Sequence, residues 1–387
     1  MLMLISTFLL MLPLQCFRTR LMVFKPLFKL ISVVLLLLLV LNSPLAQASP
    51  LPTGLASLPT GNAITDPKAL LRLSLPIQNS AVRRLQADIE DIANQLRGKR
   101  WATINSEIAK GATIVRDRSA DLLASIPPQN QPQAQVILNQ LQAQLNELQA
   151  VAESKNREQV LQKRSLVLDL VGDLEALMVQ GFPFNVPPEY SSLPQLLGRA
   201  TIALQTNKGE LTLVVDGYSA PLTAGNFVDL VQRGFYDGLK FTRAEESYVL
   251  QAGDPPGKEE GFVDPKTGQY RAIPLEILIQ GDKKPLYGMT LEDAGRYLDQ
   301  PVLPFSAYGT LALARPSDDP NGGSSQFFFL LFEPELTPAG SNLLDGRYAV
   351  FGYVVEGAEV LRELRQGDQI ISARVTAGAE NLVTPSA

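Results

Sequence analysis

The chain has 387 residues, of which 45% are hydrophobic and 19% are charged, and its formal net charge is −5. This composition is typical of a globular protein, and the length predicts two or three domains. The chain has no histidine and one cysteine, Cys16, which excludes histidine-based catalysis, histidine-ligated metals and thiolate sites. The acidic balance argues against nucleic acid or an anionic membrane as partner, because both attract clustered Lys and Arg. We therefore expect neither a metal nor another cofactor.

Residues 1–48 have the features of an export signal. Two lysines precede an apolar run at 30–41, and a small-residue Ala-Gln-Ala pattern follows at 46–48. This order is typical of a cleavable signal peptide, and the run is short for a membrane span. We expect a true start at Met22, cleavage at the end of this segment and no stable membrane span afterwards. An uncleaved membrane anchor is the alternative.

Residues 49–65 are rich in Pro, Gly and Ser and predict a flexible lead-in, whereas residues 66–181 predict helices. Apolar residues there recur at steps of 3 and 4, which is the pattern of amphipathic helices. Four helices are expected, at 79–98, 99–125, 131–153 and 156–180, and they favour an antiparallel four-helix bundle. We interpret the apolar stripes as the core of this bundle, with a partner-binding face as the alternative. A proline-rich linker is expected at 182–198.

From residue 199 to 387 the pattern changes to short alternating strands separated by turns. Strands are expected at 201–206, 210–216, 239–242, 248–253, 309–314, 326–332, 349–355 and 370–375. One helix is expected from about 221, and a second at about 358–365. Many short strands with two helices predict a closed antiparallel β-barrel capped by those helices.

Several motifs of this half, in this order, closely resemble the cyclophilin family. They are PLTAGNF at 221–227, GFYDG at 234–238, FTR at 241–243, QAGDP at 251–255, GTLALAR at 309–315, SQFF at 325–328 and LDGRYAVFG at 344–352. The resemblance implies a cyclophilin-like barrel with peptidyl-prolyl cis-trans isomerase activity. It also implies that an arginine, here Arg243, hydrogen-bonds the prolyl nitrogen, with a surface ion pair as the alternative role.

The resemblance carries further site residues over to this chain. The expected catalytic residues are Arg243, Gln326 and Phe328. The expected substrate-binding residues are Phe241, Tyr248, Val249, Gln251, Ala314, Arg315, Leu343, Leu344 and Tyr348. Both glutamines are expected to orient the arginine and the peptide, and the alternating neighbours Phe327 and Phe329 are expected to face the core.

The sequence departs from the family pattern at several of these positions. Thr242 and Tyr348 stand where many members have histidine, Tyr248 replaces a pocket phenylalanine, and Leu343 stands at a tryptophan position. Residues 255–304 form a longer segment than the family core requires, which predicts a surface loop or partial cover of the groove. These changes favour weak or regulated activity.

The layout of signal, helical region and cyclophilin-like half is similar to that of the large thylakoid-lumen cyclophilins. This similarity implies an exported, cyanobacterial protein of the thylakoid lumen or periplasm that acts on proline-containing client segments during photosystem II assembly or maintenance. It also implies contact between bundle and barrel. A cyclophilin-fold chaperone or binding scaffold with little turnover, whose access the bundle regulates, is the alternative.

Overall fold

Six α-helices lie between residues 67 and 177 in the structure, a computed structural model that describes residues 63–332 and 342–385. The helices are α1 (Pro67–Ser74), α2 (Ser80–Arg97), α3 (Trp101–Asp117), α4 (Ser119–Ala124), α5 (Gln131–Glu153) and α6 (Arg157–Leu177). In these ranges no helix is both long and apolar enough to cross a bilayer. The predicted signal at 1–48, and all but the last residues of the predicted lead-in, lie outside the described residues.

Side-chain caps define where these helices begin. The side chain of Asn79 accepts hydrogen bonds from Ala81 and Val82 at the start of α2, and Asn156 caps α6 in the same way. The apolar stripes of α2, α3, α5 and α6 meet in one buried helical core, so the interpretation of the stripes as internal packing is confirmed. The single helix predicted at 99–125 is corrected to two helices, α3 and α4, divided at Arg118. Helix α1 was not predicted.

An eight-stranded antiparallel sheet is the central element of the rest of the described chain. Its strands are β2 (Arg199–Thr206), β3 (Glu210–Asp216), β4 (Arg243–Glu245), β5 (Val249–Ala252), β8 (Thr310–Leu313), β9 (Phe327–Leu330), β10 (Val350–Glu356) and β11 (Ile370–Ala377). Their order in the sheet is β11-β2-β3-β10-β8-β9-β5-β4. Two smaller ladders pair β1 (Gln195–Leu196) with β12 (Leu382–Val383), and β6 (Glu276–Ile277) with β7 (Leu286–Tyr287). Helix α7 (Pro221–Gln232) follows β3.

The prediction of a closed barrel is wrong, because the sheet is curled but open: β4 and β11 are its edge strands and do not pair with each other. Outside the named strands, the segments just before these two edge strands are joined by the isolated bridge of Lys240 with Gln369 and by backbone hydrogen bonds between 238–241 and 367–370. The strand predicted at 239–242 is therefore replaced by this bridge and by β4. The second predicted helix is a short 3-10 helix, Ala358–Arg362.

The sheet encloses an inner core that α7 completes. Phe227 of α7 packs edge-on against Phe327, with 5.1 Å between ring centroids, and lies 5.2 Å from Phe351. Phe327 and Phe329 are fully buried in this inner core, which confirms their predicted role. Leu196, within the predicted linker, is also buried there.

Helix α1 joins the helical region to the sheet. Ser74 donates a 2.6 Å hydrogen bond to the buried carboxylate of Asp216, which also accepts a 2.8 Å ion pair from Arg199. The Arg199 guanidinium donates to the backbone oxygen of Leu71 as well. These contacts fix the C-terminal end of α1 on strands β2 and β3.

Candidate active site

One row of side chains crosses five strands on the outer face of the sheet. Arg243 of β4 lies opposite Gln251 of β5, which lies opposite Phe328 of β9; Phe328 in turn pairs with Ala312 of β8, and Ala312 with Val350 of β10. Directly opposed residues of neighbouring antiparallel strands project to the same face. The register therefore brings a cation, an amide and an aromatic ring together without any long loop.

Phe328 lies in an apolar cluster that we call the pocket cluster. Its buried members are Leu70, Leu71, Val249, Leu303, Phe305, Ala307, Ala312, Phe328, Leu330, Val350 and Tyr353, and Val214, Ala314, Phe332, Leu344, Tyr348 and Val355 pack against it. The Phe328 ring stacks on Phe305 at 5.9 Å and meets Tyr348 edge-on at 5.4 Å. Such a surface matches the apolar body of a proline ring.

A partly buried carboxylate holds two walls of this cluster together. Asp345 accepts a 2.8 Å hydrogen bond from the backbone N–H of Phe305 and another from that of Asn342. Burial raises the pKa of Asp345, and the two backbone donors act in the opposite direction. Asp345 thus fixes the position of Leu344, its neighbour in the chain, relative to the Phe305 ring.

The polar side of the row is a pair of glutamines. Gln251 Nε2 donates a 2.6 Å hydrogen bond to Gln326 Oε1, and Gln326 Nε2 donates to the backbone oxygen of Glu260 at 2.7 Å. Gly253 permits this approach: its φ is +96°, and a Cβ there would meet the Ser325 oxygen at 2.3 Å. Within the described ranges, neither glutamine is hydrogen-bonded to the arginine that it was predicted to orient.

Arg243 is instead paired with Glu245 on its own strand. Its Nε donates to Glu245 Oε1 at 2.7 Å, and both side chains are about half exposed. The structure therefore places Arg243 on the expected face of the sheet and also shows the surface ion pair that was its alternative role.

Arg315 supports the aromatic wall. Its guanidinium lies 5.1 Å from the Tyr348 ring centroid and donates to the backbone oxygen of Arg347 at 2.7 Å. Cation–π contact and the carbonyl bond together hold Tyr348 against Phe328. Ala314, the preceding residue, is half-buried against the pocket cluster.

Three predicted substrate-binding residues are not members of the pocket cluster. Phe241 is fully buried in the inner core, so its predicted contact with substrate is corrected. It precedes β4, in a segment whose backbone bonds to 367–368 and turns inward. Leu343 is 90% exposed and Tyr248 is 40% exposed, and neither belongs to the pocket cluster.

Sequence reasoning missed Phe305, Leu303 and the α1 residues Leu70 and Leu71, all of which are buried in the pocket cluster. The only available signal for the α1 pair was an Asp-Pro helix start at 66–67 followed by apolar residues. No local pattern could show that this short helix lies beside a strand more than 250 residues later.

The long segment 255–304 packs beside the pocket. Its hairpin and Leu291 share a small core with Ala349, and the Leu291 N–H donates to the Gly346 oxygen at 2.9 Å. Arg347 forms a 2.9 Å ion pair with Glu292. The segment thus braces the loop that carries Leu344 and Tyr348.

This segment also contributes a fully buried carboxylate, Glu276. Its Oε1 accepts a 2.6 Å hydrogen bond from the Thr223 N–H at the start of α7, whereas Oε2 has no hydrogen-bond partner among the described residues. Burial raises the pKa of Glu276 to about 7. Glu276 therefore caps α7, whose own N-cap residue, Ala220, provides no side-chain bond.

Comparison with known families gives two matches. Residues 66–179 match the family described as peptidyl-prolyl cis-trans isomerase CYP38-like, PsbQ-like domain. Residues 201–379 match the cyclophilin type peptidyl-prolyl cis-trans isomerase family.

Similar proteins cover both regions. A Synechocystis sp. protein named as a thylakoid lumen peptidyl-prolyl cis-trans isomerase is 57% identical over 86% of this chain and 88% of its own length. The chloroplastic peptidyl-prolyl cis-trans isomerase CYP38 of Arabidopsis thaliana is 41% identical over 88% of this chain and 80% of its own. A solved cyclophilin-type isomerase of Cryptosporidium parvum, 22% identical, covers 46% of this chain and 99% of its own, with a TM-score of 0.33.

Proposed function

We propose how this chain, which belongs to the cyclophilin-type peptidyl-prolyl cis-trans isomerase family and carries a CYP38-like N-terminal domain, performs that isomerisation. Its substrates are X-Pro bonds in proline-containing segments of client proteins. Arg243, Gln326 and Phe328 do the chemistry, and Val249, Gln251, Ala314, Arg315, Leu344 and Tyr348 form the groove. The cross-strand row from Arg243 to Phe328 is the observation that carries this assignment.

The reaction needs no nucleophile, base or metal. Amide resonance gives a rotation barrier of roughly 18–20 kcal/mol, while the two X-Pro isomers differ by only about 0.5–1 kcal/mol. A catalyst must hold the ring, exclude water and stabilise the twisted amide, whose nitrogen regains a lone pair. The aromatic surface around Phe328 binds the ring, and the permanently charged Arg243 donates to the nitrogen. The paired glutamines hold the peptide backbone.

The test is proline isomerisation of a tetrapeptide by the chain from residue 49, compared with its Arg243→Ala variant. Loss of a donor aimed at the transition state typically lowers kcat about 10²–10³-fold. Arg374→Ala is the matched control, because Arg374 is also an exposed arginine in an ion pair, here with Asp237. Arg374 lies on β11, at the opposite end of the strand order from β4. A wild-type rate no higher than the uncatalysed rate would contradict the proposal.

We place the protein in the thylakoid lumen, with photosystem II subunits among its clients. The name of the Synechocystis relative and the PsbQ-like description of residues 66–179 support this location. The boundaries proposed are a signal at 1–48, a lead-in at 49–65, an antiparallel four-helix bundle at 66–181, a linker at 182–198 and the isomerase domain at 199–387. N-terminal sequencing of the protein purified from thylakoids should begin at residue 49, and a start near residue 22 would show an uncleaved anchor.

A binding scaffold with restricted access is the second candidate, favoured by the position of α1. Leu70 and Leu71 are buried in the same cluster as Phe328. If α1 limits access, residues 195–387 alone should isomerise the peptide faster than the longer chain, once circular dichroism shows that the fragment is folded. Equal rates would remove this candidate.

A further inference from the structure

The arginine of the proposed site does not stand alone on its strand. Glu245 follows Arg243 by two residues on β4, so the period of a strand places both side chains on one face. Nε and Nη2 of the guanidinium both contact Glu245 Oε1, at 2.7 and 2.5 Å. One carboxylate oxygen thus occupies two donor groups of the arginine.

The neighbours that could draw Arg243 toward the pocket are bonded elsewhere. Gln251, its partner across the ladder, donates to Gln326. Among the described residues, the recorded partner of the Arg243 side chain is Glu245. The guanidinium is therefore held at the edge of the row and not over Phe328.

We propose that Glu245 is a positioning residue that competes with the twisted prolyl amide of the transition state for Arg243, an inference that rests on the proposed function. In the resting protein the guanidinium is paired with Glu245, and in the transition state it donates to the prolyl nitrogen. The carboxylate slows the reaction in two ways: the pair must open, and its negative charge weakens the positive potential that the guanidinium offers.

The experiment is steady-state isomerisation by the chain from residue 49 with Glu245→Gln, which keeps the size of the side chain and removes its charge. We expect kcat/KM to rise about two- to five-fold, the range that corresponds to an exposed ion pair. The gain should lie in kcat, because the arginine acts on the twisted amide. Glu246→Gln is the matched control: Glu246 is an adjacent exposed carboxylate that forms no ion pair in the described part of the chain.

Salt gives a readout that a merely structural role would not move. From about 0.01 M to 1 M salt the Debye length falls from ~30 to ~3 Å, which screens exposed pairs. The wild-type and Glu246→Gln rates should rise with salt, whereas the Glu245→Gln rate should stay flat.

A double variant, Arg243→Ala with Glu245→Gln, completes the cycle. Glu245→Gln should have no effect once Arg243 is absent. The inference is overturned if Glu245→Gln is no faster than Glu246→Gln, or if its gain persists without Arg243. If Arg243→Ala alone leaves the wild-type rate unchanged, the proposed function fails first, and with it this inference.

Discussion

The two faces of the eight-stranded sheet draw on different parts of the chain. The buried residues of the inner core all lie between positions 196 and 373, and it is completed by α7. The pocket cluster on the outer face takes Leu70 and Leu71 from α1. Strand β9 supplies both faces, since Phe327 and Phe329 point inward and Phe328 outward. The inner core is therefore built from residues of the sheet region alone, whereas the pocket cluster on the outer face also needs a helix that is distant in sequence.

The largest effect should separate the two faces of β9. Phe329 is fully buried and packs edge-on against Phe327 at 5.6 Å. Phe329→Ala should lower the free energy of unfolding by about 3–5 kcal/mol, because it leaves a cavity among residues that cannot collapse. Denaturant unfolding measures this loss.

Phe328→Ala is the matched comparison on the same strand. It should abolish most isomerisation while costing less stability than Phe329→Ala, because its ring borders the groove and is 5% exposed. Equal stability losses with retained activity would contradict the assignment of the outer face to substrate.

The next effect tests whether α1 belongs to the outer face. Leu70→Ala should lower the free energy of unfolding by about 2–3 kcal/mol, as expected for a buried leucine. Leu73, on the same helix, is 43% exposed, and Leu73→Ala should change stability by less than about 0.5 kcal/mol. Similar melting temperatures for both variants would show that α1 does not pack on the sheet in solution.

The smallest stability effect should depend on pH. The pKa of Glu276 is about 7 in the fold against an ordinary 4.5, so the folded protein binds a proton that the unfolded chain loses between these values. The contribution of the neutral carboxyl group to the free energy of unfolding is complete below about pH 4.5 and is lost as the pH rises through about 7. Burial raises the pKa of the neighbouring Tyr287, which stays neutral in this window.

Glu276→Gln keeps an acceptor for Thr223 and removes the titration. It should therefore be more stable than the wild type at pH 8, by on the order of 1–3 kcal/mol, and equally stable at pH 4. Glu363→Gln, at an exposed carboxylate, is the control. An unchanged pH profile of thermal unfolding in Glu276→Gln would contradict the role of this carboxyl group.

Sequence reasoning recovered the elements whose signal is local. Short strand patterns bounded by turns identified β2, β3 and β9, and the apolar stripes identified α2, α5 and α6. It missed α1 because eight residues provide no repeated stripe, and it missed β1 and β12 because two-residue strands have no period. The closed barrel was overpredicted because alternation cannot show whether two edge strands meet.

The site was predictable to the extent that family motifs fix the strand register. Phe328, Gln251 and Arg243, which the resemblance assigned to one site, lie in one cross-strand row. Phe241 was misassigned because β4 begins only at Arg243, so the alternation does not extend back to it. The sequence shows Arg243 and Glu245 as opposite charges two residues apart. That spacing brings the two side chains to one face only if the segment is a β-strand, which the sequence alone did not establish at these residues.

The pairing of β1 with β12 has a topological consequence. Leu196 lies opposite Leu382, and the Leu197 N–H donates to the Asn381 oxygen at 2.8 Å. The sheet region therefore enters and leaves at one corner. A circularly permuted sheet region, joined across that corner and opened in the exposed turn at 265–268, would keep the pairing order of all eight sheet strands while changing the order in which the chain visits them.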